Sequence, residues 1–163
     1  MAQTIFRTAT RADVPAILDL LTNDDIARSR DSAPGRSASG QTGVSEEADA
    51  ACWAAFEAID ADPRNELIVA DEAGAVVGTC QLTFVPSLSR RGAERMIIEA
   101  VRVRDDLRGR GVGRAMMLWA LDRARERGCG LAQLTTDKRR TDAHRFYAAL
   151  GFEPSHEGFK LSL

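Results

Sequence analysis

Apolar positions along the chain follow two rhythms, one alternating and one helical, and their succession lays out the elements. Thr4 to Arg7 alternates as a short strand. Thr10, with Asp13 three residues on and Pro15 in the first turn, opens a helix of about three turns whose apolar face is Val14, Ile17, Leu18 and Leu21. The pattern lapses from Asn23 to Ser45, where Asp-Ser-Ala-Pro-Gly-Arg-Ser-Ala-Ser-Gly-Gln-Thr-Gly offers little to bury. Residues 23–45 therefore read as a long mobile loop, either a functional lid or a surface insertion. Helical spacing returns over Glu46 to Ala61, with Trp53, Phe56 and Ile59 on a narrow face and Pro63 just past the end.

The second half is richer in strands. Glu66 to Asp71 and Ala75 to Val85 flank the turn Glu72-Ala-Gly74 and read as a hairpin. After the loop Pro86 to Gly92, a long strand runs from Ala93 to Val103. Arg110 to Arg127 is a helix that buries Ala115, Met116, Trp119, Leu121 and Ala124, and Gly128-Cys-Gly130 ends it. Leu131 to Thr135 is a strand, Asp142 to Leu150 a short helix closed by Gly151, and Phe152 to Glu153 with Gly158 to Leu163 a final β segment. This order lacks the repeated βαβ unit of a doubly wound nucleotide fold. It predicts a mixed α/β (α+β) fold with a mostly antiparallel sheet and helices on both faces.

Composition narrows the class. The 163 residues suit a single domain over 1–163 with its own core, and a net charge of −2 argues against a nucleic-acid partner. No apolar run approaches the roughly 20 residues of a membrane span, and no signal-peptide pattern opens the sequence, so a cytoplasmic location is expected. Cys52, Cys80 and Cys129 are scattered, with no Cys/His cluster, so no metal is expected.

The most informative stretch is Glu99 to Gly113, Glu-Ala-Val-Arg-Val-Arg-Asp-Asp-Leu-Arg-Gly-Arg-Gly-Val-Gly. A β-branched run feeds a glycine-rich turn that opens straight into the longest helix of the second half. Bare amides at a positive helix end suit a pyrophosphate, with Arg108, Arg110 and Arg114 adding charge. Val112-Gly113-Arg114 is not the Gly-Lys-Ser/Thr of a phosphate-binding kinase loop. The third glycine also comes one residue early for a dinucleotide fingerprint.

Arg108-x-x-Gly111-x-Gly113 after a strand containing Val101 and Val103 resembles the acetyl-CoA signature of the GNAT superfamily of N-acetyltransferases. His144-Arg-Phe-Tyr147-Ala-Ala-Leu-Gly151-Phe152 resembles its late motif, a helix carrying a tyrosine and ending in Gly-Phe. The element order is similar from about Ile5 onward. The resemblance implies a central, mostly antiparallel sheet of six or seven strands, splayed in the middle and flanked by about four helices. It implies acetyl-CoA as co-substrate, held by the backbone of Val101 and Val103 and by Arg108, Gly109, Arg110, Gly111, Val112, Gly113 and Arg114.

It also implies roles for side chains. Tyr147 falls on the family's tyrosine, the general acid for the CoA thiolate; the alternative is a ring packed beneath the cofactor. Glu99, a carboxylate in the apolar run Met96-Ile-Ile-Glu-Ala-Val, is the base, or else a binder of the substrate's charge. Arg140 stands where many members have an asparagine, and contacts the CoA phosphates or belongs to a solvated turn. His144 shares a helix face with Tyr147 as a relay or a surface cap, and His156 lies in a loop that can line the acceptor pocket.

The function so implied is an acetyl-CoA-dependent N-acetyltransferase acting on a primary amine by direct transfer, without a cysteine intermediate. The alternative is a non-catalytic acyl-CoA-binding or regulatory domain. Asp24, Asp25, Glu46 and Glu47 hint at a cationic acceptor, small molecule or peptide. Homodimerisation, through helices or an exchanged strand at Gly158 to Leu163, is expected.

Overall fold

The computed structural model describes residues 3–23 and 46–163. Strands β1 (Thr4–Thr8), β2 (Asn65–Glu72), β3 (Ala75–Val85), β4 (Arg95–Val103) and β5 (Leu131–Leu134) form one sheet in that spatial order. The first three pairings are antiparallel and β4–β5 is parallel. Helices α1 (Val14–Thr22) and α2 (Glu46–Ala61) come before the hairpin, α3 (Val112–Glu126) between β4 and β5, and α4 (Thr141–Ala148) after β5. The expected loop at 23–45 and the acidic residues Asp24 and Asp25, as well as the side chains of Glu46 and Glu47, lie outside the described residues.

Two apolar layers hold the sheet. On one face Ile68, Cys80, Leu82, Phe84, Met96 and Ile98 meet Met116, Met117, Ala120 and Ala124 of α3. On the other, Val14 and Ile17 of α1 and Phe56 of α2 pack with Ala9 and Val69. The face of α3 is rotated from the one expected: Val112 and Met117 are buried and Ala115 is exposed. The helix also begins two residues later than expected, because Gly111 (φ 89°) is its left-handed cap.

The sheet has five strands among the described residues, fewer than the six or seven expected, because Phe152 to Glu153 and Gly158 to Leu163 do not join it. Pro154 brings no N–H, the Ser155 amide turns back to the Glu153 carbonyl (2.9 Å), and Lys138 holds Glu157 (2.8 Å). The chain leaves the sheet edge there, and Phe159 (94% exposed), Leu161 and Leu163 face solvent.

A three-way ion cluster ties the entry of the chain to the sheet. Arg7 on β1 donates to both carboxylate oxygens of Asp13 (2.7 and 2.9 Å) and to Asp71 on β2 (2.9 Å). Asp13 also accepts from the Thr10 amide (2.7 Å) and hydroxyl (2.9 Å), which fixes the turn before α1. The Arg7 guanidinium, helped by Thr10, holds the Asp13 carboxyl far below the ordinary carboxylate range.

The folded state thus prefers the ionised form of Asp13. Its contribution is complete above the unfolded value near 4 and is lost as pH falls from there toward the depressed folded value. Asp13→Asn is expected to cost about 2 kcal/mol at neutral pH and to flatten the loss of stability between about pH 4 and 2. Urea unfolding of both proteins across that range checks it; parallel curves would contradict the assignment.

Candidate active site

Strands β4 and β5 run together only from Arg95–Leu131 to Ile98–Leu134. β5 then ends while β4 continues through Glu99 to Val103, so the two strands part at Glu99 and leave a cleft beside the rest of β4. The other edge of β4 is irregular at the same place. Arg102 pairs with Thr79 and Glu99 with Gln81, so Ala100 and Val101 together stand opposite Cys80. Ala100 takes the bulge at φ 52°, a conformation costly for a residue with a Cβ. The extra residue re-phases the strand. Val101 and Val103 pack with the α3 layer, as Met96 and Ile98 do, whereas Glu99 is exposed at the mouth of the cleft.

The glycine-rich turn lies at the far end of the same strand. Gly109 (φ 77°) and Gly111 (φ 89°) are left-handed, and a Cβ at either would meet no atom within 4 Å. Gly113 differs. Its backbone is ordinary and its Cβ position lies 3.4 Å from Val103 and 3.7 Å from Phe146, so this glycine serves close packing of α3 against β4 and α4. The first bond into the helix runs from the Ala115 amide to the Gly111 carbonyl (2.9 Å), and no side chain caps the end. The earlier amides are therefore open to an anion. Arg108, Arg110 and Arg114 are all exposed around it. Asp105 pairs with Arg108 (2.7 Å) and Asp106 with Arg104 (2.6 Å). This surround fits a diphosphate.

Helix α4 covers the α3 side of the cleft. Tyr147 packs edge-on against Phe146 (5.2 Å) and Phe152 (6.0 Å) and contributes to the α3 layer. Burial pushes its hydroxyl above the ordinary tyrosine value, and the positive charges of Arg102 and Arg140 pull in the opposite direction. The phenol therefore keeps its proton at neutral pH. Arg140 thus lies near enough to Tyr147 for its charge to be felt there. Arg102 is the residue that sequence reasoning passed over, although an arginine between Val101 and Val103 in a half-buried strand was a visible signal. Its Nη1 donates to the Val101 carbonyl (2.8 Å).

Cys80 also neighbours Tyr147, but complete burial pushes its thiol up to about 12, so it is not a ready nucleophile. His144 is exposed and bonds through Nε2 to the Asp137 carbonyl (3.1 Å), and His156 is exposed with Nδ1 on Ser155 (2.8 Å). The structure thus sets Glu99, Val101 and Val103 on one strand with the 108–114 turn beyond its end, packs Tyr147 against the same layer as Val101 and Val103 with the charge of Arg140 near it, and leaves both histidines at the surface. Among the described residues no cluster of three His, Cys, Asp or Glu side chains could hold a metal, and no helix is long and apolar enough to cross a membrane.

Comparison with known proteins gives the family and the fold. The sequence pattern of the Acetyltransferase (GNAT) family matches residues 32–152. The aminoalkylphosphonate N-acetyltransferase of Salmonella typhimurium is 35% identical over 102 residues, which is 63% of this chain. The matched stretch spans 66% of that protein, just under two thirds of its length. A crystal structure described as a transcriptional regulator from Bacillus halodurans superposes with a TM-score of 0.87 at 40% identity, covering 99% of this chain and 100% of the other. A Trypanosoma brucei acetyltransferase shares the fold, with a TM-score of 0.72 at 23% identity over 99% of this chain and 100% of that one.

Tyr147 is the sole tyrosine, so alkaline difference absorbance reports this one phenol. Its midpoint is expected above the ordinary value of about 10. A midpoint at or below that value would show the ring to be solvated.

Proposed function

We propose that this chain, which belongs to the GNAT acetyltransferase family, acts over residues 1–163 as a single domain that transfers the acetyl group of acetyl-CoA to a primary amine by direct attack. The observation that carries this reading is the parting of β4 and β5 after Ile98, with a protonated tyrosine on one side and an exposed carboxylate at its mouth. Acetyl-CoA would supply an activated acetyl thioester. The open amides at Gly111 to Arg114 and the arginines Arg108, Arg110 and Arg114 would hold its diphosphate, Arg140 its phosphates, and the free edge at Val101 and Val103 its pantetheine arm.

Each step then falls to a residue of the chain. Glu99 takes a proton from the incoming ammonium, directly or through water, which frees the lone pair for attack. The backbone N–H near Val101 donates to the thioester oxygen as negative charge develops there. As the carbon–sulfur bond breaks, Tyr147 donates its proton to the departing sulfur, and the second proton that the attacking nitrogen sheds restores the phenol through water. Because the Cys80 thiol stays protonated far above neutral pH, direct transfer needs no enzyme-bound acetyl group.

A second reading rests on the Bacillus structure, whose description is regulatory: a domain that binds an acyl-CoA without turnover. Release of free CoA with a panel of primary amines separates the two. Steady release supports the enzyme, and calorimetric CoA binding without release on any amine supports the binder. Tyr147→Phe is expected to lower kcat about 100-fold while KM for acetyl-CoA changes by less than about threefold. Equal activity would remove the acid role.

The proposal also includes a cytoplasmic homodimer. The exposed Phe159 and Leu161, in a segment that pairs with no strand of its own sheet, support strand exchange at Gly158 to Leu163. Light scattering is expected to give twice the 17.7 kDa of one chain. A monomeric mass would refute the dimer.

A further inference from the structure

The acceptor's own chemistry is legible on the side of the sheet away from α3. Met96 and Ile98 enter the α3 layer, so Arg95, Ile97 and Glu99 share the opposite face of β4. The neighbouring strands present polar groups beside them. Gln81 stands opposite Glu99 and Thr83 opposite Ile97, both tied to Asn65 (3.1 and 2.9 Å), and Gln133 of β5 stands opposite Ile97. Ile97 belongs to neither apolar layer. This part of the face is a polar strip with a carboxylate at one end and a guanidinium at the other.

Arg95 differs from the arginines that the chain pairs with its own acids. Arg7, Arg11, Arg104, Arg108, Arg123, Arg125, Arg127, Arg139 and Arg145 each hold a carboxylate. Arg95 holds none among the described residues, and its Nε, like that of Arg102, is buried without a hydrogen-bond partner. The adjacent Glu94 is taken by Arg127 (2.7 Å). A shielded guanidinium nitrogen without an acceptor costs free energy that an incoming anion would recover. Four residues of extended strand separate the α-carbons of Arg95 and Glu99 by about 13 Å, and the length of the two side chains narrows that to the span of a small molecule.

We infer that the acceptor is a small primary amine that also carries an anionic group, its ammonium at Glu99 and its acid group on Arg95. This rests on the acetyltransfer reading above and makes Arg95 a specificity-determining residue for it. The recognised chemistry is a charged oxygen acid able to take two N–H bonds from one guanidinium, which phosphonates and carboxylates share.

Calorimetry on the CoA-loaded protein tests it with three amines of similar length: propylamine, 3-aminopropylphosphonate and 4-aminobutyrate. The acid-bearing amines are expected to bind at least about tenfold more tightly than propylamine, the phosphonate and carboxylate arms showing which acid is preferred. Arg95→Gln should erase that preference, and Arg95→Lys should restore part of it. Equal binding of all three amines by the native protein, or an undiminished preference in Arg95→Gln, overturns the inference. The native comparison and Arg95→Lys decide the matter if Arg95→Gln fails to fold. Acetyl transfer is followed in parallel. Arg95-dependent binding without turnover would sink the enzymatic reading and spare this one, whereas turnover indifferent to the acid group would do the reverse.

Discussion

The site depends on a single constraint in the sheet: β4 has two neighbours for its first four residues and one thereafter. Every backbone N–H and C=O buried in a sheet needs a partner, so a strand that outruns its neighbour presents a row of groups for something else to satisfy. Here β5 stops at Leu134 while β4 continues to Val103. The bulge at Ala100 sharpens the effect by spending an extra residue, and a positive φ, at the point of parting. Strain of that kind persists only where surrounding packing fixes it, and the fully buried Cys80 opposite and Ile98 before it supply the packing.

Electrostatics around this cleft divide into two regimes. Outside it, arginines are consumed by the chain's own acids: Arg123 by Glu66 (2.7 Å), Arg127 by Glu94, and Arg7 by Asp13 and Asp71. Such pairs brace elements against one another, and the exposed ones add little to stability. Around the cleft they are less consumed by acids: Arg108 pairs with Asp105 (2.7 Å) and Arg102 donates to the Val101 carbonyl (2.8 Å), while Arg110 and Arg114 are exposed beside the open end of α3. Tyr147 is the counterweight there, a half-buried phenol kept neutral by desolvation although two guanidinium groups favour its ionised form.

Much of this was legible in the chain. Alternation and helical spacing located five strands and four helices, because each has one apolar face and the period of that face is set by backbone geometry. The turn Arg108-Gly-Arg-Gly-Val-Gly113 announced itself, since only glycine occupies left-handed φ cheaply and a helix end attracts anions. Glu99 stood out as a carboxylate in an apolar run, and Tyr147 through its place in the family's late motif.

Tertiary structure decided the rest. Gly113 looked like its two neighbours in the motif, yet its role is set by Val103 and Phe146, residues distant in sequence that press on it. Gly158 to Leu163 alternates as a strand should, but pairing needs an edge within reach, and the Lys138–Glu157 contact and Pro154 steer the segment away. Arg95 and Arg102 read alike as arginines in an apolar strand. The bulge between them, invisible to any local pattern, puts Arg102 where its Nη1 reaches the Val101 carbonyl and Arg95 on the face that carries Glu99, with the Nε of each shielded and unbonded. Sequence by itself fixed what depends on neighbours along the chain: period, turn and cap. Only the folded sheet decided where β4 and β5 part, because that point depends on how long two strands, thirty-odd residues apart, stay in register.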